Sequence, residues 1–407
     1  MSKNMNVPQL RFSEFAAEWE EKKLGDILTF KNGINATKEQ YGKGYKFINV
    51  LDIINNTTIK YENIIGSVDV SKEIFEKNKV VYGNILFQRS SETRIDAGQS
   101  NVYLDKNNSA TFGGFVIRGQ QKIDYNPEFM NYMFKTQLAR KEISQKSNGS
   151  THFNVGQETL SKVLVILPSK QEQEKIVSFL TSVDTKIEQL TKKQALLQQY
   201  KKSVMQKIFN QELRFKADDG SEFCDLEEKK LGDIGEIVTG KTPSTTDVAL
   251  WNGDIKFITP TDIDDNVKYQ SITQRTVVKQ NKMKVLPIGS IVFTCIASIG
   301  KMQITLYPSI TNQQINSIIV NNNHNNEFIY YSLLNMTPYI KSTQSNTTLP
   351  IINKTEFSKF IVYIPSIQEQ TKIANFLSSI DNKIEQTTKQ LNQTKEFKKA
   401  LLQTMFV

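Results

Sequence analysis

An eight-residue segment occurs twice in this chain without change, as Glu20-Glu21-Lys22-Lys23-Leu24-Gly25-Asp26-Ile27 and as Glu227-Glu228-Lys229-Lys230-Leu231-Gly232-Asp233-Ile234. A shorter echo precedes each copy, Leu10-Arg11-Phe12 and Leu213-Arg214-Phe215. A longer one follows: Pro168 to Phe209 and Pro365 to Phe406 agree at 21 of 42 positions without a gap, which chance does not produce. Self-similarity of this kind constrains the fold before any local propensity does, because each copy must find the same partners. Between the anchors the halves agree only in outline. Lys46-Phe47-Ile48 matches Lys256-Phe257-Ile258, and Gly83 to Phe87 matches Gly289 to Phe293, while loops and lengths differ. The chain is two copies of a variable module, each followed by a shared one.

The shared module reads as a long helix. Apolar residues step by four and three through Ile176, Leu180, Val183, Ile187 and Leu190, and resume at Leu197, Val204 and Ile208. The twin runs through Ile373, Leu377, Ile380, Ile384, Leu391, Leu401 and Met405. A 3.5-residue period is the seam of a left-handed coiled coil. Polar residues interrupt it at Gln194 and Lys201 in one copy, and at Thr387, Thr394 and Lys398 in the other. At ~1.5 Å per residue each helix spans roughly 60 Å. Two helices of equal length and phase can satisfy each other within one molecule. The expectation is an antiparallel intramolecular pair, with a pseudo-twofold repeat relating the halves and Val407 ending near the first module.

The variable modules alternate short apolar runs with Gly, Asn and Pro. Strands are expected at Tyr45 to Val50, Val80 to Gln88, Phe112 to Arg118 and Val163 to Leu167, with a helix from Pro127 to Ile143. The second module gives Ile255 to Thr259, Ser290 to Ile296, Gln314 to Val320 and Phe360 to Ile364, with a helix from Glu327 to Ile340. Each is a mixed α/β (α+β) domain of about 150 residues, enough to fold alone.

Composition narrows the chemistry. Fifty-one Lys and Arg against 42 Asp and Glu leave +9, which favours a polyanionic partner, nucleic acid before membrane. Two cysteines, Cys224 and Cys295, exclude a disulfide scaffold and a Cys-rich zinc site. No signal core opens the chain and no run nears ~18 apolar residues, so a cytoplasmic protein without a membrane partner is expected. His152 and His324 are the only histidines and lack metal-ligand spacing. Gly235 to Thr242 fits G-x-x-x-x-G-K-[ST] letter for letter. That loop must follow a buried strand and open a helix, whereas its flanks, Glu227 to Lys230 and Pro243 to Asp247, read as neither. No Asn/Asp-Pro-Pro-aromatic methyltransferase motif is present either. Catalytic, cofactor and metal residues are all expected to be none.

The segment Glu18 to Ile27, the Gly240-Lys241-Thr242-Pro243 stretch and the two Pro-Ser-x-Gln-Glu-Gln helix starts together resemble the specificity subunits of type I restriction-modification systems. The resemblance covers nearly the whole chain and the order of its parts. It implies two globular target recognition domains separated by two long conserved helices, each domain reading one half of a bipartite, asymmetric DNA target. It divides the chain into 1–167 (N-terminal segment and first recognition domain), 168–212 (central spacer helix), 213–364 (second recognition domain) and 365–407 (C-terminal spacer helix). The implied partners are double-stranded DNA, two methyltransferase subunits and, through the complex, restriction helicase-nuclease subunits. S-adenosylmethionine, ATP and Mg²⁺ belong on those partners. Readers on one side of a duplex need centres about one turn, ~34 Å, apart, which helices of this length can span. Alternative readings are a coiled-coil adaptor without DNA reading and a P-loop nucleotide-dependent enzyme.

DNA contacts are expected from polar loops at strand ends. The first is Gln88 to Arg94, with Arg89, Ser90, Ser91, Thr93 and Arg94, because Arg suits bidentate reading of guanine. The second is Lys146 to Asn154, with Lys146, Asn148, Ser150, Thr151, His152 and Asn154. In the second module Lys241, Thr242, Ser298, Lys301, Gln344, Asn346 and Thr347 hold comparable places. Lysines on the helices, Lys192, Lys193, Lys201 and Lys202, read as solvated flanks or partner contacts.

Overall fold

The 3.5-residue spacing is realised as two unbroken helices, Lys170–Phe209 and Ile367–Thr404, in a computed structural model that describes residues 6–280, 283–343 and 351–407. The chain forms two compact units: one runs up to Thr191 and includes Lys389–Val407, the other is Lys192–Thr388. Each long helix contributes to both.

In the first unit a four-stranded antiparallel sheet has the order Leu28–Asn32, Val116–Gln121, Ile85–Gln88, Ser100–Val102. Ile85–Gln88 is buried along its whole length. Its side chains alternate between two cores: Ile85 and Phe87 join the cluster that holds the long helices, and Leu86 joins a smaller one with Ile48, Val80 and Phe112. A strand covered on both faces is apolar throughout, which is why it was legible as a run. A three-stranded sheet, Ser67–Val68, Tyr41–Ile48 and Thr111–Phe112, lies beyond that smaller core.

The second unit repeats the plan. Gly235–Thr239, Ile315–Val320, Ile291–Thr294, Met302–Thr305 and Tyr269–Gln270 form five strands, and Arg275–Val277, Trp251–Ile258 and Ser309–Thr311 form three. Ile291 and Phe293 face the helix-bearing core while Val292 faces the smaller one.

Several expected elements shift for local reasons. Phe112 to Arg118 is not one strand: Gly113-Gly114 divides it into Thr111–Phe112 and Val116–Gln121, which belong to different sheets. The helix from Pro127 breaks after Met133, because the Thr136 hydroxyl takes the Met133 carbonyl and caps a new helix, Gln137–Gln145. Its counterpart Asn326–Thr343 stays continuous through Pro338. Val80 to Asn84 leaves the strand at a turn where Gly83 has φ +84°. The repeated Glu-Glu-Lys-Lys segments, which carry no apolar residue, are strands. Glu20–Lys23 pairs with Leu164–Leu167 and Glu227–Lys230 with Ile361–Ile364, both antiparallel and in the same register. Backbone pairing with an apolar strand, not side-chain pattern, decides them.

The repeated motifs are the joints between module and helix. Glu172 is 1% exposed and accepts Arg11 Nε at 2.7 Å and Nη2 at 2.8 Å; Glu369 takes Arg214 in the same two-pronged way. Gln173 accepts from the Asn126 amide and donates to the Pro168 carbonyl, and Gln370 does the same with Asn325 and Pro365. Phe12 meets Phe179 edge-on, as Phe215 meets Phe376. The Leu10 amide bonds the Thr404 carbonyl as the Leu213 amide bonds Lys207, and Phe406 packs on Phe129 in the first unit.

Three of the five interruptions in the apolar seam, Lys398, Lys201 and Gln194, join the helices. In the first unit Asp184 accepts from Lys398 at 2.5 Å and from the Tyr132 hydroxyl at 2.7 Å, while the lysine lies 5.4 Å from the Tyr132 ring centre. In the second unit Asp381 accepts from Lys201 at 2.6 Å and from Tyr331 at 2.5 Å, with the lysine 5.3 Å from that ring. Gln194 donates to Thr388 at 2.6 Å, beside buried Thr387. Contacts that fall on one helix as they rise on the other make the pair antiparallel. Burial, followed by the negative charge of Asp381, drives the Tyr331 phenol far above its ordinary pKa, so it keeps the proton that it donates to Asp381. Lys201 is therefore no solvated flank, whereas Lys192, Lys193 and Lys202 are exposed.

Lys201→Met leaves Asp381 half-buried without its cation. The expected cost is about 1–3 kcal/mol, between values for exposed and buried pairs, seen as a drop in melting temperature on the order of 5 °C. Lys202→Met, one residue on, is expected to stay within about 0.5 kcal/mol. Thermal denaturation by circular dichroism compares them.

Candidate nucleic-acid interface

Strand Ile85–Gln88 ends at the surface, and the chain there turns polar. Arg89 is exposed; its amide donates to the Phe115 carbonyl at 2.9 Å and its guanidinium approaches Gly114 O at 3.5 Å. Ser90–Ser91 then forms a short strand against Phe153–Asn154. This pairing unites the two loops singled out in the first module. Ser90 donates to Asn154 Oδ1 at 2.5 Å, and the Asn148 and Asn154 backbones exchange two hydrogen bonds. Arg94 is exposed and lies 5.3 Å from the Phe153 ring centre, which holds a cation in place without neutralising it. Thr93 is exposed, with its hydroxyl donating to Asp96 at 2.5 Å.

Ser150, Thr151 and His152 stand exposed on the turn between the paired strands. The turn needs glycine at Gly149, where φ is +119° and a Cβ would lie 2.0 Å from the His152 carbonyl. Lys146 departs from expectation. It ends helix Gln137–Gln145, is partly buried and pairs with Glu142 at 2.9 Å, so it belongs to the helix rather than the loop tip. Ser91, though in the same short strand as Ser90, accepts from the Thr93 amide.

In the second module the same sheet end is formed by Lys241-Thr242, by 311–314 and by the turn from Cys295 to Lys301. The Lys241 amide donates to Thr311 O, Thr242 donates to Gln313 at 2.6 Å, and the Cys295 amide donates to Gln314 O. Lys241 and Ser298 are exposed; Lys301 is partly buried, with its amide tied to Thr294. Gln344, Asn346 and Thr347 lie outside the described residues. The chain returns at Ile351, which bridges Ile296, and the Ile352 amide bonds Cys295 O as the Val155 amide bonds Arg89 O.

Those hydrogen bonds place Cys295 where the first module has Arg89. One copy presents a guanidinium; the other buries a thiol that accepts from Asn316 Nδ2 at 3.2 Å. Burial pushes the Cys295 thiol up to about 11. The Gly235 to Thr242 match is also resolved. Gly235–Thr239 is a strand whose backbone groups are used in pairing with Ile315–Val320, and no helix opens after Lys241. The flanking Glu227–Lys230 segment is a strand, contrary to the sequence reading, but it pairs away from this sheet.

Three features escaped the sequence. Phe115 is 71% exposed beside Arg89, hidden because the glycine pair that lifts it out was read as mid-strand. Arg140 donates to the carbonyls of Ile95, Ala97 and Gly98 at 2.7–2.8 Å and so fixes the loop behind Arg94. Arg275 is exposed, 5.3 Å from the Trp251 ring centre. Among the described residues no three His, Cys, Asp or Glu side chains gather to hold a metal, and no helix is long and apolar enough to cross a membrane.

The type I restriction modification DNA specificity domain matches this chain twice, at residues 16–199 and 224–396. The chain belongs to that family. The HindI specificity subunit of Haemophilus influenzae is 26% identical over 91% of this chain and 95% of its own length. The MjaIX specificity subunit of Methanocaldococcus jannaschii is 35% identical over 45% of this chain and 44% of its own. A type I restriction-modification S subunit from M. genitalium shares the fold, with a TM-score of 0.59 at 17% identity, covering 98% of this chain and 99% of that one. The doubled match in a type I specificity chain falls on the two modules with their helices.

The two thiols should differ sharply. A disulfide reagent is expected to titrate one thiol per native chain, exposed Cys224, and the second only after unfolding. In Cys224→Ser the native count should fall to zero; a fast-reacting Cys295 would contradict its burial under the loop cluster.

Proposed function

We propose that this chain is the DNA-recognition subunit of a type I restriction-modification complex, each module reading one half of a bipartite, asymmetric target. The observation that carries the reading is the pairing of equal scaffolds with unequal tips. Strand registers, helix joints and Tyr-Asp-Lys clusters repeat, while the loops at the sheet ends present Arg89, Arg94 and Asn154 in one module and Lys241, Thr242 and Ser298 in the other. Arginine and asparagine on a rigid frame suit direct reading of base edges, and the neighbouring hydroxyls and lysines suit phosphates. Phe115 adds an apolar surface beside Arg89 that suits a thymine methyl.

Residues 1–167 and 213–364 are the readers in this proposal, and 168–212 and 365–407 are the spacer helices and the dock for two methyltransferase subunits. The chain is not itself the catalyst. Methyl transfer, with S-adenosylmethionine, and ATP- and Mg²⁺-dependent cleavage belong to the methyltransferase and helicase-nuclease subunits. Extrusion of the target base is likewise theirs. The complex works in the cytoplasm. Nucleotide binding at Gly235 to Thr242 is disfavoured, since Gly235–Thr239 is held as a strand against Ile315–Val320 and no helix opens after Lys241.

Exchange of residues 30–166 for the same module of a relative should change one half of the methylated target and leave the other half and the spacing intact. Methylation mapping in cells carrying the chimera reads this; change in both halves contradicts independent readers. Arg89→Ala should weaken specific binding by about 1–3 kcal/mol, a five- to 150-fold loss, and relax one position in the first half-site only. Competition binding by the assembled complex at fixed salt measures it.

A further inference from the structure

The two scaffolds differ in bulk at two places that line one core. In the first unit Trp19, 2% exposed, stands just before strand Glu20–Lys23, with ring centres 6.1 Å from Phe129 and 6.2 Å from Phe406. Its indole N–H donates to Glu172 Oε1 at 3.2 Å. Met133 is buried in the same cluster. In the second unit the identical strand register puts Leu226 in place of the tryptophan, and Ser332, which follows Tyr331 as Met133 follows Tyr132, in place of the methionine.

The rest of the frame is kept. Phe209 and Phe328 stand 5.8 Å apart, and Arg214 grips Glu369. What opens is a cavity of about 310 Å³ lined by Leu226, Phe209, Phe328, Ser332, Arg214 and Glu369. Glu369 is 2% exposed, and among the described residues its Oε1, the counterpart of the oxygen that takes the indole in the first unit, has only a 3.3 Å bond from Arg214 Nε. A carboxylate has about four acceptor sites, so room for a donor remains.

We propose that this cavity binds the indole ring of a tryptophan side chain on a partner polypeptide. A dry cavity of ~150 Å³ is filled by benzene, so twice that volume suits a bicyclic ring. The lining asks for a flat apolar body with one N–H donor and no acceptor, which among side chains is tryptophan. In the first unit that ring arrives on the segment that leads into strand Glu20–Lys23, where the Trp19 amide donates to the Asn6 carbonyl at 2.9 Å. The rim of the cavity offers Tyr339 and Tyr363, 65% and 52% exposed, for a similar backbone to cross. The site is independent of DNA reading.

N-acetyltryptophanamide titrated into the full chain, followed by calorimetry, should bind. Leu226→Trp and Ser332→Met refill the cavity from two sides, as the first unit does, and each should weaken binding at least tenfold. Leu226→Trp should also melt higher than the parent. The same probe methylated on the indole nitrogen should bind several-fold more weakly. Absence of binding to the parent, binding undiminished in both variants, equal binding of the methylated probe, or capture of free indole with exclusion of the amide would each overturn the proposal.

Discussion

The ion pairs Asp184–Lys398 and Asp381–Lys201 hold the long helices to each other and to their modules at once. In each the carboxylate also takes a buried tyrosine hydroxyl from the module helix, and the lysine lies over that tyrosine's ring. A charge at a seam position costs stability in an apolar coiled coil but specifies register, since a shifted helix would strand both ions. Here the tyrosine ties that register to the module, so the orientation of the helices and the seating of the modules are one decision. Arg11–Glu172 and Arg214–Glu369 add a second fixed point at each helix start.

This accounts for the way charge is used along the chain. Four of the seven arginines are committed to structure: Arg11 and Arg214 to glutamates, Arg118 and Arg140 to backbone carbonyls. Arg89, Arg94 and Arg275 remain exposed. Guanidinium groups are costly to bury without acceptors, so the scaffold sets its own against carboxylates and carbonyls and leaves those of the reading loops exposed. Adjoining loops then vary without disturbing the joints, as Arg89 and Cys295 at one position illustrate.

The units are equal in frame but not in filling. Trp19 closes a core that Leu226 leaves open, with the carboxylate, arginine and phenylalanines unchanged around it. A duplicated scaffold that keeps its polar joints while one copy loses an internal side chain acquires a shaped, partly desolvated hollow, because the surrounding joints resist collapse.

The sequence by itself determined the duplication, the length and phase of the long helices, and the doubly covered strands at Ile85 and Ile291, since those rest on periodicity and identity that survive without coordinates. It also marked the loops at 88–94 and 146–154, because polar residues after an apolar run must leave the core. The tertiary structure alone decided what pairs with what. Glu20–Lys23 is a strand only because Leu164–Leu167 lies beside it, and Phe115 is exposed only because Gly113-Gly114 divides two sheets. Lys146 is withdrawn from its loop by Glu142, and Lys201 from solvent by Asp381. The polar breaks at Lys201 and Lys398 looked like defects in a heptad pattern. They are its register, and that became visible only with the opposing helix in place, because the free energy of a charge depends on its neighbours in space and not on its neighbours in sequence.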